Sequence, residues 1–356
     1  MVSGWAEHSG GRHHGAHGGV VSRSLGVSEG DLLDFSQNLN PLGPPARALE
    51  AAQRALYEES GRYPEVGYPR LREALAAYLG VAPGSVVPTN GGAEALFLAA
   101  RAAGARGGAL ILEPTFSEYA AAARAAGLEP VSRVARRPLD GFSLDRSALQ
   151  NLEGVGLVFL CNPNNPTGDA LSRAEVLEVA DHVRERSAVL VVDEAFADFA
   201  PGVGVAAEVD EGLYVARSFT KFFAIPGLRL GCLVCERAGR VLELQPSWPV
   251  NVVAAAAGTA AVGDRSFAQD SVVGVARLRE ELFRALGALP GLTPFPGAAN
   301  FLLVRGPVGL AERLARRGVL VRGCEPFPGL EPGYFRAAVR SAAHNERLVA
   351  ALREEL

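Results

Sequence analysis

The strongest constraint on the fold is an alternation of two patterns. Apolar runs rich in β-branched residues occur at 86–87, 108–112, 128–133, 157–161, 188–193, 213–217 and 230–235. Ala-rich helical patterns at 93–103, 117–126 and 173–186 separate most of them. A strand that is apolar on both faces must be covered on both, so the pattern predicts an α/β fold with a mostly parallel sheet flanked by helices. In such sheets ligands sit beyond the carboxyl ends of the strands. After position 246 the style changes to a long helical stretch at 252–286. Short strands are then expected at 301–305, 319–322 and 334–339, with helices at 308–317 and 345–355. The expected organisation is an N-terminal arm (1–33), a large domain (46–246), and a smaller α+β domain built from 34–45 and 247–356.

The chain has 356 residues, 48% of them hydrophobic and 21% charged, enough for one large core and a smaller one. A net charge of -4 gives no reason to expect a nucleic-acid or membrane-surface partner. Four scattered cysteines make no disulfide framework; Cys232 and Cys235, though spaced as CxxC, fall in an apolar run and read as packing residues. The apolar run at 252–262 is too short to span a bilayer, and the N-terminus lacks an apolar signal segment. The expectation is a soluble cytoplasmic protein. Four of the six histidines crowd the first 17 residues without a cysteine or carboxylate cluster, which reads as an irregular arm and not a metal site.

The candidate site residues fall at strand ends. Lys221 lies among Phe219, Phe222, Phe223 and Ile225, with Ser218 and Thr220 beside it and Arg229 eight residues on. A lysine kept from water tends to lose its proton, and the neutral amine is the form that attacks an aldehyde. Ser218 and Arg229 would bind an anion near that aldehyde; pyridoxal phosphate carries both groups. Asp193 ends a buried strand and needs a partner, either a protonated pyridine nitrogen or a structural cation. Asn165 sits in the rigid turn Asn-Pro-Asn-Asn-Pro-Thr-Gly at 162–168 and could donate to a ring oxygen. Asn-Gly-Gly-Ala at 90–93 opens a helix whose free N–H groups suit an anion. Arg322 closes a short strand. Arg336 and Arg340 are four apart, so in a strand both would face one side and suit a doubly anionic substrate.

In this order, Asn165, Asp193, Lys221 and Arg229 resemble the fold-type I pyridoxal-phosphate enzymes. More closely, the chain resembles the class I and II aminotransferase group that includes histidinol-phosphate aminotransferases and threonine-phosphate decarboxylases. The resemblance runs from His17 to the last helix. It implies that Lys221 bonds the cofactor's aldehyde and moves the proton, Asp193 holds the ring nitrogen, and Asn165 the 3-oxygen. Phe116 or Tyr119 would stack near the ring. Backbone N–H at Gly92 and Ala93, with Ser218 and Arg229, would hold the phosphate. Tyr63 would reach the phosphate of a neighbouring subunit's cofactor, which implies a homodimer. Arg336 matches the position that grips the substrate carboxylate, and Arg322 the one that meets a substrate phosphate.

One departure carries information: Phe196 stands where aminotransferases of this group have a tyrosine. The opening around His17 and residues 34–45, with Phe196 and Arg340, resembles the threonine-phosphate decarboxylases of cobalamin synthesis. His17, Asn38 and Arg340 are then candidates for the substrate phosphate or carboxylate. The expected activity is decarboxylation of L-threonine O-3-phosphate, with transamination of histidinol phosphate or another amino acid as the alternative. A PLP-binding protein without catalysis is the more distant one.

Overall fold

The computed structural model describes residues 18–26, 28–138 and 141–356. The chain begins with a helix, α1 (Gly18–Leu25), and a two-residue strand, β1 (Leu33–Asp34). Two helices, α2 (Ala46–Glu58) and α3 (Pro69–Leu79), lead into β2 (Val86–Asn90), α4 (Gly91–Ala102), β3 (Gly108–Glu113), α5 (Glu118–Ala125) and β4 (Glu129–Val134). A hairpin of β5 (Arg136–Pro138) and β6 (Phe142–Leu144) follows. The large sheet is completed by β7 (Val155–Cys161), β8 (Val189–Asp193), β9 (Leu213–Ser218) and β10 (Leu230–Val234), with α6 (Arg173–Arg184) between β7 and β8.

Its strand order is β2-β10-β9-β8-β7-β3-β4, and all strands are parallel except β10, which runs against both neighbours. Successive residues of the buried strands serve opposite faces. Leu110 and Leu112 join the core shared with α3 and α6, whereas Ala109 and Ile111 join the core under α4 and α5. The reversal of β10 matters for the site. Its first residues pair with Asn90 and Ser218, so Arg229, just before it, lies at the edge where β2, β8 and β9 end.

Beyond β10 come α7 (Ala238–Leu242), α8 (Val252–Val262) and α9 (Arg265–Gly287). The helix expected over 252–286 is therefore two. Asp264 caps the second by accepting from Phe267 N–H at 3.1 Å, and a helix cannot continue through a residue whose side chain takes over its own first turn. The halves pack differently: α8 lies against α2 and α3, while α9 reaches the smaller sheet. That sheet, antiparallel in the order β11-β12-β15-β14, contains β11 (Thr293–Pro294), β12 (Phe301–Arg305), β14 (Arg322–Gly323) and β15 (Tyr334–Ala338). Between β12 and β14 lie α10 (Leu310–Arg316) and β13 (Val319–Leu320), and α11 (Ala342–Glu355) closes the chain. β1 pairs in parallel with β13, and Leu33 and Phe35 join the core of α9, α10 and α11.

The strand expected at 319–322 is thus two short ones, and β15 stops at Ala338. Arg340 consequently lies past the strand and not on a common strand face with Arg336. All four cysteines are buried and free, which agrees with their reading as packing residues. Among the described residues no helix is long and apolar enough to cross a membrane, and no cluster of three or more His, Cys, Asp or Glu side chains could hold a metal.

Candidate active site

A cavity of about 480 Å³ opens beyond the carboxyl edge of the large sheet, between it and the smaller one. It brings together Lys221, Asp193, Asn165, Ser218, Arg229, Gly92, Ala93, Phe116, Phe196, Asn38, Arg322 and Arg336. A second hollow of about 570 Å³ is walled partly by Arg217 and the two carboxylates it pairs with, Glu194 and Asp198. It holds none of the expected site residues.

Lys221 is the only lysine in the chain, among 35 Lys and Arg residues. Its Nζ donates to Ser218 Oγ at 3.1 Å and lies 5.9 Å from the centre of the Phe196 ring. Burial pulls its ammonium below the ordinary lysine range; Asp193 opposes that, and Arg229 and Arg336 add to it. The lysine loop is tied down from the opening segment. Asn40 N–H donates to the Lys221 carbonyl at 3.0 Å, and Asn40 Nδ2 to the Phe222 carbonyl at 2.8 Å. The sequence reading missed Asn40, although its place in the turn-rich Asn-Leu-Asn-Pro run marked it as a residue that orders loops.

Asp193 Oδ1 accepts from Ala195 N–H and Oδ2 from the Tyr119 hydroxyl, both at 2.9 Å. Burial pushes its carboxyl up, countered by the Lys221 charge and the Tyr119 hydrogen bond. Tyr119 is fully buried and stacked on Phe159, so of the two aromatics expected near a ring only Phe116 lines the cavity. Tyr119, inside α5, packs into the core on Phe159, with the Phe116 ring edge-on to it at 5.8 Å.

Across the cavity, Arg322 and Arg336 are register partners on β14 and β15. Arg336 donates to Asn165 Oδ1 and, at 2.9 Å, to the Ser36 carbonyl, while its buried Nε has no partner among the described residues. Burial lowers its pKa to about 10. Because Asn165 Oδ1 is taken by a cation, its amide NH2 is left to donate. Asn38 Oδ1 is likewise buried without a partner among the described residues. Tyr63 lies outside the cavity, 79% exposed and 4.5 Å from the Trp248 ring. Arg340 also lies outside it, and His17 falls outside the described residues.

These features fit pyridoxal phosphate. At the start of α4, Gly91 has φ +80°, and a Cβ there would come within 2.6 Å of Arg229 Nη2. Gly92 likewise leaves room for Ser218. The result is a cradle of helix N–H groups, a hydroxyl and a guanidinium, which suits a phosphate. A carboxylate, an amide donor and an amine stand at separate points of the same cavity.

The family model of class I and II aminotransferases matches residues 30–353. The chain is 39% identical to threonine-phosphate decarboxylase of Salmonella typhimurium, over 96% of both chains. It is 32% identical to histidinol-phosphate aminotransferase of Methanopyrus kandleri, over 94% of this chain and 91% of the other. The chain belongs to the class I and II aminotransferase family. Within that family it is a pyridoxal-phosphate-dependent enzyme. The solved structure of histidinol-phosphate aminotransferase from Clostridium acetobutylicum matches the fold with a TM-score of 0.83 at 27% identity, over 91% of this chain and 98% of the other.

Glu113, at the end of β3, carries a testable pH dependence. Burial pushes its carboxyl up from an ordinary 4.5 to about 7, against the Thr115 N–H, which donates to it at 2.9 Å. The folded protein therefore keeps a proton that the unfolded chain releases. The associated stability is full below the unfolded value and lost as pH rises through the folded one, to the extent of about 3 kcal/mol at most. Glu113→Gln is expected to flatten the denaturation midpoint between pH 5 and 7. A slope like that of the parent would place the dependence elsewhere.

Proposed function

We propose that the chain decarboxylates L-threonine O-3-phosphate to aminopropanol phosphate. The observation that carries the reading is the pair of neighbouring guanidiniums, Arg322 and Arg336, facing Lys221 across one cavity. Two cations there suit an amino acid with two anionic groups, one held at each arginine. The 39% identity to a threonine-phosphate decarboxylase points the same way. When bound, the cofactor would supply an electron sink for the Cα bond that breaks.

The chain's own residues do the rest. Gly92, Ala93, Ser218 and Arg229 would hold the phosphate, Asp193 would pair with the ring nitrogen, Asn165 would donate to the 3-oxygen and Phe116 would cover the ring. Arg336 and Arg322 orient the carboxylate and the substrate phosphate and so select the bond that breaks. Lys221, its ammonium destabilised by burial, would offer the amine and return a proton to Cα after CO2 has left. Phe196 presents only carbon toward Lys221, so the 3-oxygen loses a donor on that side.

The test is product analysis of the loaded protein given L-threonine O-3-phosphate without any 2-oxo acid. Stoichiometric CO2 and aminopropanol phosphate over many turnovers are expected. Absence of CO2, with conversion of the cofactor to its amine form by histidinol phosphate or glutamate, would leave an aminotransferase.

The site is further proposed to be shared between two copies of the chain. Tyr63 does not line its own chain's cavity, and it is exposed beside the half-exposed Trp248, with which its ring is in contact. Mixing Lys221→Ala and Tyr63→Ala chains, refolded together, is expected to recover activity that neither has alone. No recovery from two inactive chains would show that Tyr63 does not act across the dimer.

A further inference from the structure

We infer that Tyr119 is a positioning residue that fixes Asp193 and holds the ring-facing carboxylate in its ionised form. This rests on the reading of Asp193 as the partner of the cofactor's ring nitrogen. The geometry is closed on every side. The Tyr119 ring is fully buried, stacked on Phe159 with centres 5.0 Å apart and planes 9° apart, and meets Phe116 edge-on at 5.8 Å. Its hydroxyl donates to Asp193 Oδ2 at 2.9 Å. Oδ1 is fixed by Ala195 N–H, so the carboxylate cannot rotate without losing both bonds.

The groups facing Asp193 are Tyr119 on α5, Cys161 at the end of β7, Arg217 on β9, and Lys221. Burial and the nearby Asp193 charge keep the phenol protonated far above neutral pH, so Tyr119 is a donor throughout the working range. The Cys161 thiol, pushed up to about 12 by burial, stays neutral and brings no competing charge. A buried carboxylate stripped of a donor becomes more basic. It would then draw toward itself the proton shared with the ring nitrogen and weaken the electron sink.

The experiment uses the full-length protein loaded with cofactor labelled with ¹⁵N at the ring nitrogen. In Tyr119→Phe, which keeps the stack on Phe159, the ¹⁵N resonance is expected to move toward the neutral-pyridine position. The cofactor dissociation constant should rise by roughly tenfold, as for loss of a hydrogen bond to a charged group. Replacing Tyr119 by 3-fluorotyrosine, a stronger donor of nearly equal size, should move the resonance the opposite way and guards against misfolding of the first variant. Asp193→Asn separates the two readings. If it shifts the resonance while both Tyr119 variants leave it at the parent position, the role of Tyr119 is overturned and that of Asp193 stands. If Asp193→Asn itself causes no shift, the reading of Asp193 fails.

Discussion

Replacing Lys221 by arginine is expected to lower turnover by at least about 10³-fold, because the change removes both a nucleophile and a proton carrier. Arginine keeps the charge and the length, but a guanidinium does not give up its proton in a protein and so offers no free amine. The physical basis is the depression of the Lys221 ammonium by burial, with the Phe196 ring 5.9 Å from its Nζ. Cofactor binding should fall less than turnover, since the α4 cradle, Ser218 and Arg229 remain. The composition makes the measurement unusually clean. With one lysine in the chain, borohydride reduction of the loaded protein should attach the cofactor to a single lysine-containing peptide. Attachment only at the N-terminal amine, or turnover near that of the parent in Lys221→Arg, would remove Lys221 from the chemistry.

Most of the large sheet was legible because its central strands are apolar on both faces, and β3, β8 and β9 end in Glu113, Asp193 and Ser218. Asp193, Ser218 and Asn165 could therefore be placed at one edge before any coordinates. The reversal of β10 was not legible: an apolar run shows burial but not direction, and only pairing to Asn90 and Ser218 explains why Arg229 arrives at the same edge. The arginines of the smaller sheet were misread for a related reason. Spacing by four aligns side chains only while a strand lasts, and β15 ends before Arg340. The partner of Arg336 is instead Arg322, fourteen residues earlier, and such a pairing is set by register between strands. Of Phe116 and Tyr119 only Phe116 lines the cavity, because Tyr119 is buried against Phe159 and bonded to Asp193, contacts made across the sheet that local spacing does not show. Asn40 and Tyr119 both act by holding another residue, and such roles leave little mark on a local pattern. The lone lysine, in contrast, could have been counted.

Arg336→Lys should cost about 3 kcal/mol in kcat/KM, roughly a hundredfold, by the scale of losing a buried hydrogen-bonded charge contact. The guanidinium is committed on two sides, to Asn165 Oδ1 and to the Ser36 carbonyl, and its buried Nε is left for an anion. An ammonium has no planar fork and cannot satisfy those three directions from one nitrogen. The loss should therefore fall on two functions together. The carboxylate is gripped less well, which raises KM. Asn165 is freed to turn its amide over, which lowers kcat by misplacing the donor to the 3-oxygen. Asn165→Ala should reproduce the second effect without the first, and the double variant should cost less than the sum, because the two residues act through one contact. Strict additivity in that cycle would show that Arg336 and Asn165 work independently. Full activity in Arg336→Lys would move the carboxylate site to another cation.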